Sequence, residues 1–190
     1  MNPKIHNLSL QGITGILFGI SSLLFIVLIN SLINQFTSLS GSTSVLPITF
    51  FEILIFVSVI FFVLIAYLVI VFINKRRRKK NNLKGWEANA KKIRLVFFIQ
   101  FCILVSASYA CIQLGMLKLI IPLILLLYGL SCIIVNYYTN GSTKILGLFF
   151  ALQSMFVLFF PEVQFLLLGV AFAGFHIIYA IINTKNNLNS

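Results

Sequence analysis

The sequence predicts an all-α protein, a polytopic membrane bundle of six transmembrane helices, from three observations. Hydrophobic residues fill 60% of the 190 positions and charged residues only 9%, whereas a soluble domain is roughly half apolar and a quarter charged. The apolar residues form long unbroken runs, without the alternation that marks a β-barrel. The lysines and arginines gather between those runs. A chain so poor in charge cannot cover a water-facing surface, so we expect lipid around it.

Six stretches are apolar enough to cross a hydrocarbon core of ~30 Å, which takes roughly 20 residues of helix. The second is long enough to require tilt or to project from the membrane, and the fifth is short and stopped by Pro161. The loops are too short for a soluble domain on either face, so we expect residues 1–190 to form one transmembrane domain. The expected helices are 13–33, 48–73, 93–114, 119–138, 144–160 and 163–182.

The positive charges predict the orientation, because cytoplasmic loops carry an excess of lysine and arginine. With the N-terminus inside, all 14 of these residues except Lys118 become cytoplasmic. We therefore expect a multi-pass protein of the cell (inner) membrane, with both termini and the basic loop 75–92 in the cytoplasm. The first span lacks a cleavage pattern and reads as an uncleaved helix rather than a signal peptide.

The basic loop predicts contact with anionic lipid head groups, which attract cations at a membrane surface by ~1 kcal/mol per residue. A stripe from Leu83 through Trp86 to Ile93 is typical of a short interfacial helix anchored by the tryptophan. RNA or protein binding is conceivable for such a loop, but a topology signal that also touches lipid requires no nucleic acid. The predicted lipid-facing basic cluster is Lys75, Arg76, Arg77, Arg78, Lys79, Lys80 and Trp86.

Small residues recur at helical spacing in three of the helices, where they let backbones approach closely. We expect them to pack within the monomer, with a homo-oligomer or partner-protein interface as the alternative. Two of the stripes share a pattern of glycine, phenylalanine, small residue and serine, which indicates repeated helical hairpins. The stripes are Gly15, Gly19 and Ser22; Gly147, Ala151 and Ser154; and Gly169, Ala173, His176, Ala180 and Asn183.

His176 is the foremost candidate for a functional polar residue, because an ionisable side chain deep in a span is costly there. It could relay protons, and Gln100, Gln153 and Asn136 are its candidate partners. No aspartate occurs in the chain, and no glutamate lies at that depth. We therefore favour a packing histidine, with a small oligomeric transporter or channel as the alternative.

Glu52, Glu162 and Lys118 form a second group of candidates at the outer membrane face. Each glutamate follows a proline near the start of an inward-running helix, where the helix dipole stabilises a carboxylate. Lys118 begins the fourth helix at the same level and could pair with either glutamate. An ionic site for a cation or proton is one interpretation, and capping with interfacial anchoring is the one we favour.

Motifs of known chemistry are missing from the chain. The sequence has no Walker loop, no HExxH, no GxSxG and no dinucleotide fingerprint. The three cysteines lie in apolar stretches without metal-ligand spacing. We therefore expect no enzymatic activity, catalytic residue, cofactor or metal.

The last hairpin reads GLFFALQSMFVLFFPEVQFLLLGVAFAGFHIIYAII over residues 147–182. Its glycine-bearing helix, proline turn and LLLG helix resemble HdeD-like acid-resistance membrane proteins, which consist of six helices in short repeated hairpins. The likeness covers about a fifth of the chain, and the long basic loop departs from that family. The resemblance implies a stress-related membrane protein, and the composition, rich in Ile, Phe, Asn and Lys, looks like that of a low-GC bacterium.

Overall fold

The computed structural model describes residues 8–10, 12–39, 48–80, 88–139 and 143–188, with side chains described from 8 to 35, 53 to 80, 88 to 139 and 143 to 182 except Gln11. We number the six helices α1 to α6. The first five are α1 (Ile13–Leu39), α2 (Ile48–Lys80), α3 (Ala88–Gln113), α4 (Ile120–Val135) and α5 (Thr143–Phe159). The last, α6, comprises Gln164–Gly169, a π-helical turn at Val170–Phe175, and His176–Leu188.

The prediction of an all-α bundle of six helices is confirmed. Five described segments are long and apolar enough to cross a membrane, and α5 is a shorter apolar helix. At 1.5 Å per residue, the 17 residues of α5 span only about 25 Å. Short 3₁₀ turns at Leu117–Leu119 and Asn136–Tyr138 lengthen α4 at both ends. The chain is a membrane protein.

The basic segment 75–92, which we expected to be a loop, is helical at both of its described ends. α2 continues through the cations to Lys80, so its 33 residues span about 50 Å and exceed the ~30 Å hydrocarbon core. α3 begins at Ala88, and both Ala90 and Ile93 are buried. The described half of the stripe expected to lie in the interface therefore faces the bundle. Trp86 lies outside the described residues.

The glycine stripe of α1 packs against α6. A Cβ added at Gly15 would lie 2.8 Å from the Cβ of Ala180, and one at Gly19 would lie 3.0 Å from the carbonyl oxygen of Ala173. Farther along, Gly169 of α6 faces Leu23 of α1. Lipid offers no hydrophobic force between helices, so this close packing supplies the attraction. These two stripes thus pack inside the monomer, as expected.

The stripe of α5 packs against α4 in the same way. A Cβ at Gly129 would lie 2.7 Å from the carbonyl oxygen of Gly147, and one at Gly147 would lie 2.5 Å from that of Gly129. Ser154 donates a hydrogen bond of 2.8 Å to the carbonyl of Pro122. Near the turn, the Asn136 side chain accepts from the backbone N–H of Lys144. The α4–α5 hairpin is therefore tied along its whole length.

Consecutive helices run in opposite directions, so α1, α3 and α5 begin at one end of the bundle, where α2, α4 and α6 finish. We call this the basic end, because every described lysine and arginine except Lys118 lies there. α2 flanks α1 and α3 flanks α4 at the periphery, while the core lies among α1, α4, α5 and α6.

We expect Gly129→Ala to destabilise the protein by about 1–3 kcal/mol, because the added methyl group meets backbone that cannot move aside. The control is Gly174→Ala, since a Cβ there meets only a Val170 methyl at 4.0 Å. Thermal unfolding of the full chain in detergent, followed by circular dichroism, measures both. Equal losses in the two variants would contradict the close α4–α5 packing.

Candidate functional site

His176 lies at the centre of the bundle, where it is fully buried and has a hydrogen bond at each ring nitrogen. Nδ1 lies 2.8 Å from the carbonyl oxygen of Phe172, and Nε2 lies 2.7 Å from the hydroxyl of Tyr128. A carbonyl only accepts, so Nδ1 carries a hydrogen. In the neutral ring Nε2 then accepts from the tyrosine hydroxyl.

Aromatic rings enclose the imidazole on several sides. Phe18 of α1 meets it edge-on at 4.8 Å between ring centroids, and Phe150 of α5 does so at 5.5 Å. Phe172 stacks on it at 5.9 Å, and Tyr128 lies tilted at 5.5 Å. Such a cage excludes water and holds no carboxylate. A polar group in these surroundings is tolerated because its hydrogen bonds are satisfied.

Local features of the sequence set up this arrangement. Phe172 precedes His176 by four residues, and the π-helical turn Val170–Phe175 lies between the two halves of α6. Short π-helical turns within α-helices are common at functional sites. Phe18 and Phe150 occupy equivalent positions in the two similar stripes of α1 and α5. The repeated pattern thus supplies two of the rings that face the histidine.

The expected partners of His176 lie elsewhere. Gln100 and Gln153 are half-buried on α3 and α5, and neither bonds to the imidazole. The Oε1 atom of Gln100 is buried without a described hydrogen-bond partner. Asn136 caps the start of α5 instead. The actual partner, Tyr128, could have been proposed from sequence, because a tyrosine hydroxyl within a span also requires a partner.

Two of the cavities in the described part of the chain are lined by none of His176, Gln100 and Gln153. The smaller, of about 50 Å³, lies toward the basic end and reaches Tyr128, Cys132 and Thr143. It has room for a few water molecules. The larger, of about 440 Å³, is an apolar groove between α1 and α2.

The candidates at the opposite end stay apart. Lys118 lies in the 3₁₀ turn before α4, and Glu162 lies in the turn before α6. Both side chains are exposed, and they form no described ion pair with each other. Glu52 is the fifth residue of α2, and its side chain lies outside the described part of the chain. No cation site is assembled from the described residues at this end.

The six cations of the basic cluster differ in exposure. Arg77 is half-buried, and Arg78 is only 7% exposed. Asn74, one turn before Arg78, is fully buried and donates a hydrogen bond of 2.8 Å to the carbonyl of Ser9. This face of α2 therefore lies against the segment before α1. The remaining four cations form what we call the exposed basic cluster: Lys75, Arg76, Lys79 and Lys80.

Comparisons with protein-family models, curated proteins and solved structures give no match to this chain. Among the described residues, no group of three or more His, Cys, Asp or Glu side chains could hold a metal ion. The three cysteines are unpaired, and Cys132 is buried. The resemblance to HdeD-like proteins stays a prediction.

We expect Tyr128→Phe to destabilise the protein by about 1 kcal/mol, because it leaves Nε2 of His176 buried without a donor. Tyr137→Phe is the matched control, since Tyr137 is 85% exposed. Thermal unfolding in detergent measures both. A double-mutant cycle with His176→Phe isolates the hydrogen bond, and a coupling energy of zero would contradict its contribution.

Proposed function

We propose that this chain is a non-enzymatic multi-pass membrane protein that acts through contact with anionic lipid at the cytoplasmic face. The observation that carries the proposal is the exposed basic cluster, Lys75, Arg76, Lys79 and Lys80, at the end of a helix about 50 Å long. The helix continues unbroken from the apolar span into the cations. Its charges therefore project at the level of the lipid head groups.

The electrostatics favour lipid over other partners for these cations. Anionic head groups attract each nearby lysine or arginine by ~1 kcal/mol, and the attraction falls off within a Debye length. The guanidinium of Arg76 lies 4.3 Å from the ring centroid of Phe72, so a cation–π contact holds it near the last apolar turn. Charges tied to the membrane edge suit a membrane surface better than a distant nucleic acid.

A transporter or channel using His176 is the weaker alternative. Such a protein requires a polar cavity near the midplane, whereas His176 is enclosed by aromatic rings and lines neither described cavity. The proposal also includes a role in stress adaptation in a bacterial inner membrane. This part of it rests on the resemblance of the last hairpin to HdeD-like proteins.

The proposed orientation places the basic end in the cytoplasm, because thirteen of the fourteen cations then obey the positive-inside bias. On a background in which Cys102, Cys111 and Cys132 are replaced by alanine, we expect Lys79→Cys to react with an impermeant maleimide only in inverted vesicles. Lys118→Cys should react only in right-side-out cells or spheroplasts. The reverse pattern would contradict the orientation.

The lipid contact is tested with the full chain in phosphatidylcholine vesicles that contain a fraction of brominated phosphatidylglycerol. Trp86, the only tryptophan, follows Lys80 by six positions and reports nearby brominated lipid by quenching. Replacing all four residues of the exposed basic cluster by glutamine should weaken the preference for phosphatidylglycerol at least about tenfold at low salt.

Lys118→Gln, at the opposite end, is the control and should leave the quenching unchanged. Added salt should weaken the preference of the unmodified protein, because screening shortens the reach of exposed charges. A preference that survives both the four substitutions and high salt would refute the proposal.

A further inference from the structure

We infer that the groove between α1 and α2 is a binding site for one anionic phospholipid, whose acyl chain lies in the groove and whose phosphate contacts Arg76 and Lys80. This inference rests on the proposed function and deepens it, because it replaces a general attraction at the basic end by a single lipid seat. The site is the larger of the two cavities, which lies outside the bundle core and is not lined by His176.

The groove has the dimensions of an acyl-chain site. Its volume of about 440 Å³ falls in the range of roughly 300–1,000 Å³ that is common for small-molecule sites. On α1 it extends from Thr14 to Leu28, which is about 21 Å along the helix axis. One leaflet of a ~30 Å hydrocarbon core is about 15 Å deep. A lipid of the leaflet at the basic end can therefore place a whole chain in the groove.

Two described contacts hold α2 near α1, one within the groove and one at the basic end. Phe25 and Phe62 stack with ring centroids 4.2 Å apart. At the basic end, Asn74 binds the carbonyl of Ser9. Between these contacts the small residues Ser21 and Ala66 line the walls and leave the volume unfilled.

The walls suit a hydrocarbon chain rather than a polar ligand. Two of the hydroxyls that line the groove are already satisfied within the protein. Ser21 donates a hydrogen bond of 3.0 Å to the Phe18 carbonyl of its own helix, and Thr14 donates one of 3.0 Å to Ser9. Phenylalanine, leucine and isoleucine side chains form most of the remaining lining. A polar ligand would gain little here, since few groups are free to bond it.

Charge complementarity identifies the lipid as anionic. The α2 residues that line the groove recur every three or four positions up to Ile70 and Ile73, and the next positions on that stripe are Arg76, Arg77 and Lys80. Side chains on a helix lean toward its N-terminus, so Lys80 leans back toward the mouth of the groove. The guanidinium of Arg76 lies over Phe72, one position before Ile73 of the lining. Arg76 and Lys80 are both exposed. A phosphate at the mouth would meet two cations.

A second copy of the chain is the competing occupant, and the bundle offers it less. The glycine stripes of α1, α5 and α6, which could let another helix approach closely, already pack within the monomer at Gly15, Gly19, Gly147 and Gly169. A second copy placed against this groove would also bring two basic clusters together, which like-charge repulsion opposes. An anionic lipid in the groove is instead attracted to the basic cluster, because the two have charges of opposite sign.

Native mass spectrometry of the full chain, released from nanodiscs of equal parts phosphatidylglycerol and phosphatidylcholine, tests the inference. We expect one retained phosphatidylglycerol per protein. Ser21→Phe, which fills the groove, should lower retention at least fivefold, as should the pair Arg76→Gln and Lys80→Gln. The matched controls should retain the lipid: Ser106→Phe on exposed α3, whose hydroxyl also bonds its own helix, and the pair Lys91→Gln and Lys92→Gln.

A second measurement does not depend on variants. Phosphatidylglycerol with a photoreactive acyl chain should crosslink to the groove, at residues such as Leu24 and Phe61, in preference to the exposed face of α3. Crosslinks spread evenly over all exposed helices would overturn the inference, as would retention that is unchanged in Ser21→Phe or a retained dimer in place of a lipid.

These outcomes separate the inference from the proposed function. Ser21→Phe should leave the salt-sensitive quenching of Trp86 intact, because the exposed basic cluster is unchanged. If that quenching persists while the unmodified protein retains no phosphatidylglycerol, the single lipid seat is refuted and the general lipid contact stands. If quenching is insensitive to the basic cluster as well, both are refuted.

Discussion

The close approach of paired helices, α1 with α6 and α4 with α5, is the interaction on which the rest of the bundle depends. Helices in lipid gain nothing from hydrophobic burial against one another, so their association requires dense packing. Gly15 and Gly19 allow it, because a Cβ added to Gly15 would lie 2.8 Å from Ala180 and one added to Gly19 would lie 3.0 Å from Ala173. The same device, Gly129 against Gly147, joins α4 to α5.

This packing creates the environment of His176. Fixing α1 against α6 brings Phe18 to the imidazole, and fixing α5 against α4 brings Phe150 and Tyr128 to it. A histidine in a membrane core is costly unless its nitrogens are bonded. Here one bond comes from a neighbouring helix and one from its own, so the residue joins α4 to α6 as a structural connection within the core.

The peripheral helices have a different character. α2 has no buried residue in the apolar part of its span that the structure describes, and it meets α1 along an open groove. Its firmest described tie is at the basic end, where Asn74 is buried against Ser9. A helix with a tie at its charged end and no buried residue along its described apolar length is well suited to lipid contact, which is why we place the function there and not at the histidine.

The sequence by itself determined the membrane residence, the six helices and the gathering of charge at one end, because these follow from composition and from runs of apolar residues. It also indicated that the small-residue stripes pack inside the monomer.

Only the tertiary structure decided which helices these stripes join, since apolar helices resemble one another and a stripe of small residues does not identify the helix it packs against. The tertiary structure alone paired His176 with Tyr128, because the positions of Gln100, Gln153 and Asn136 along the sequence made them equally acceptable partners. It also separated Arg78, which is buried, from its exposed neighbours, since six consecutive cations on a helix must point in all directions around its axis.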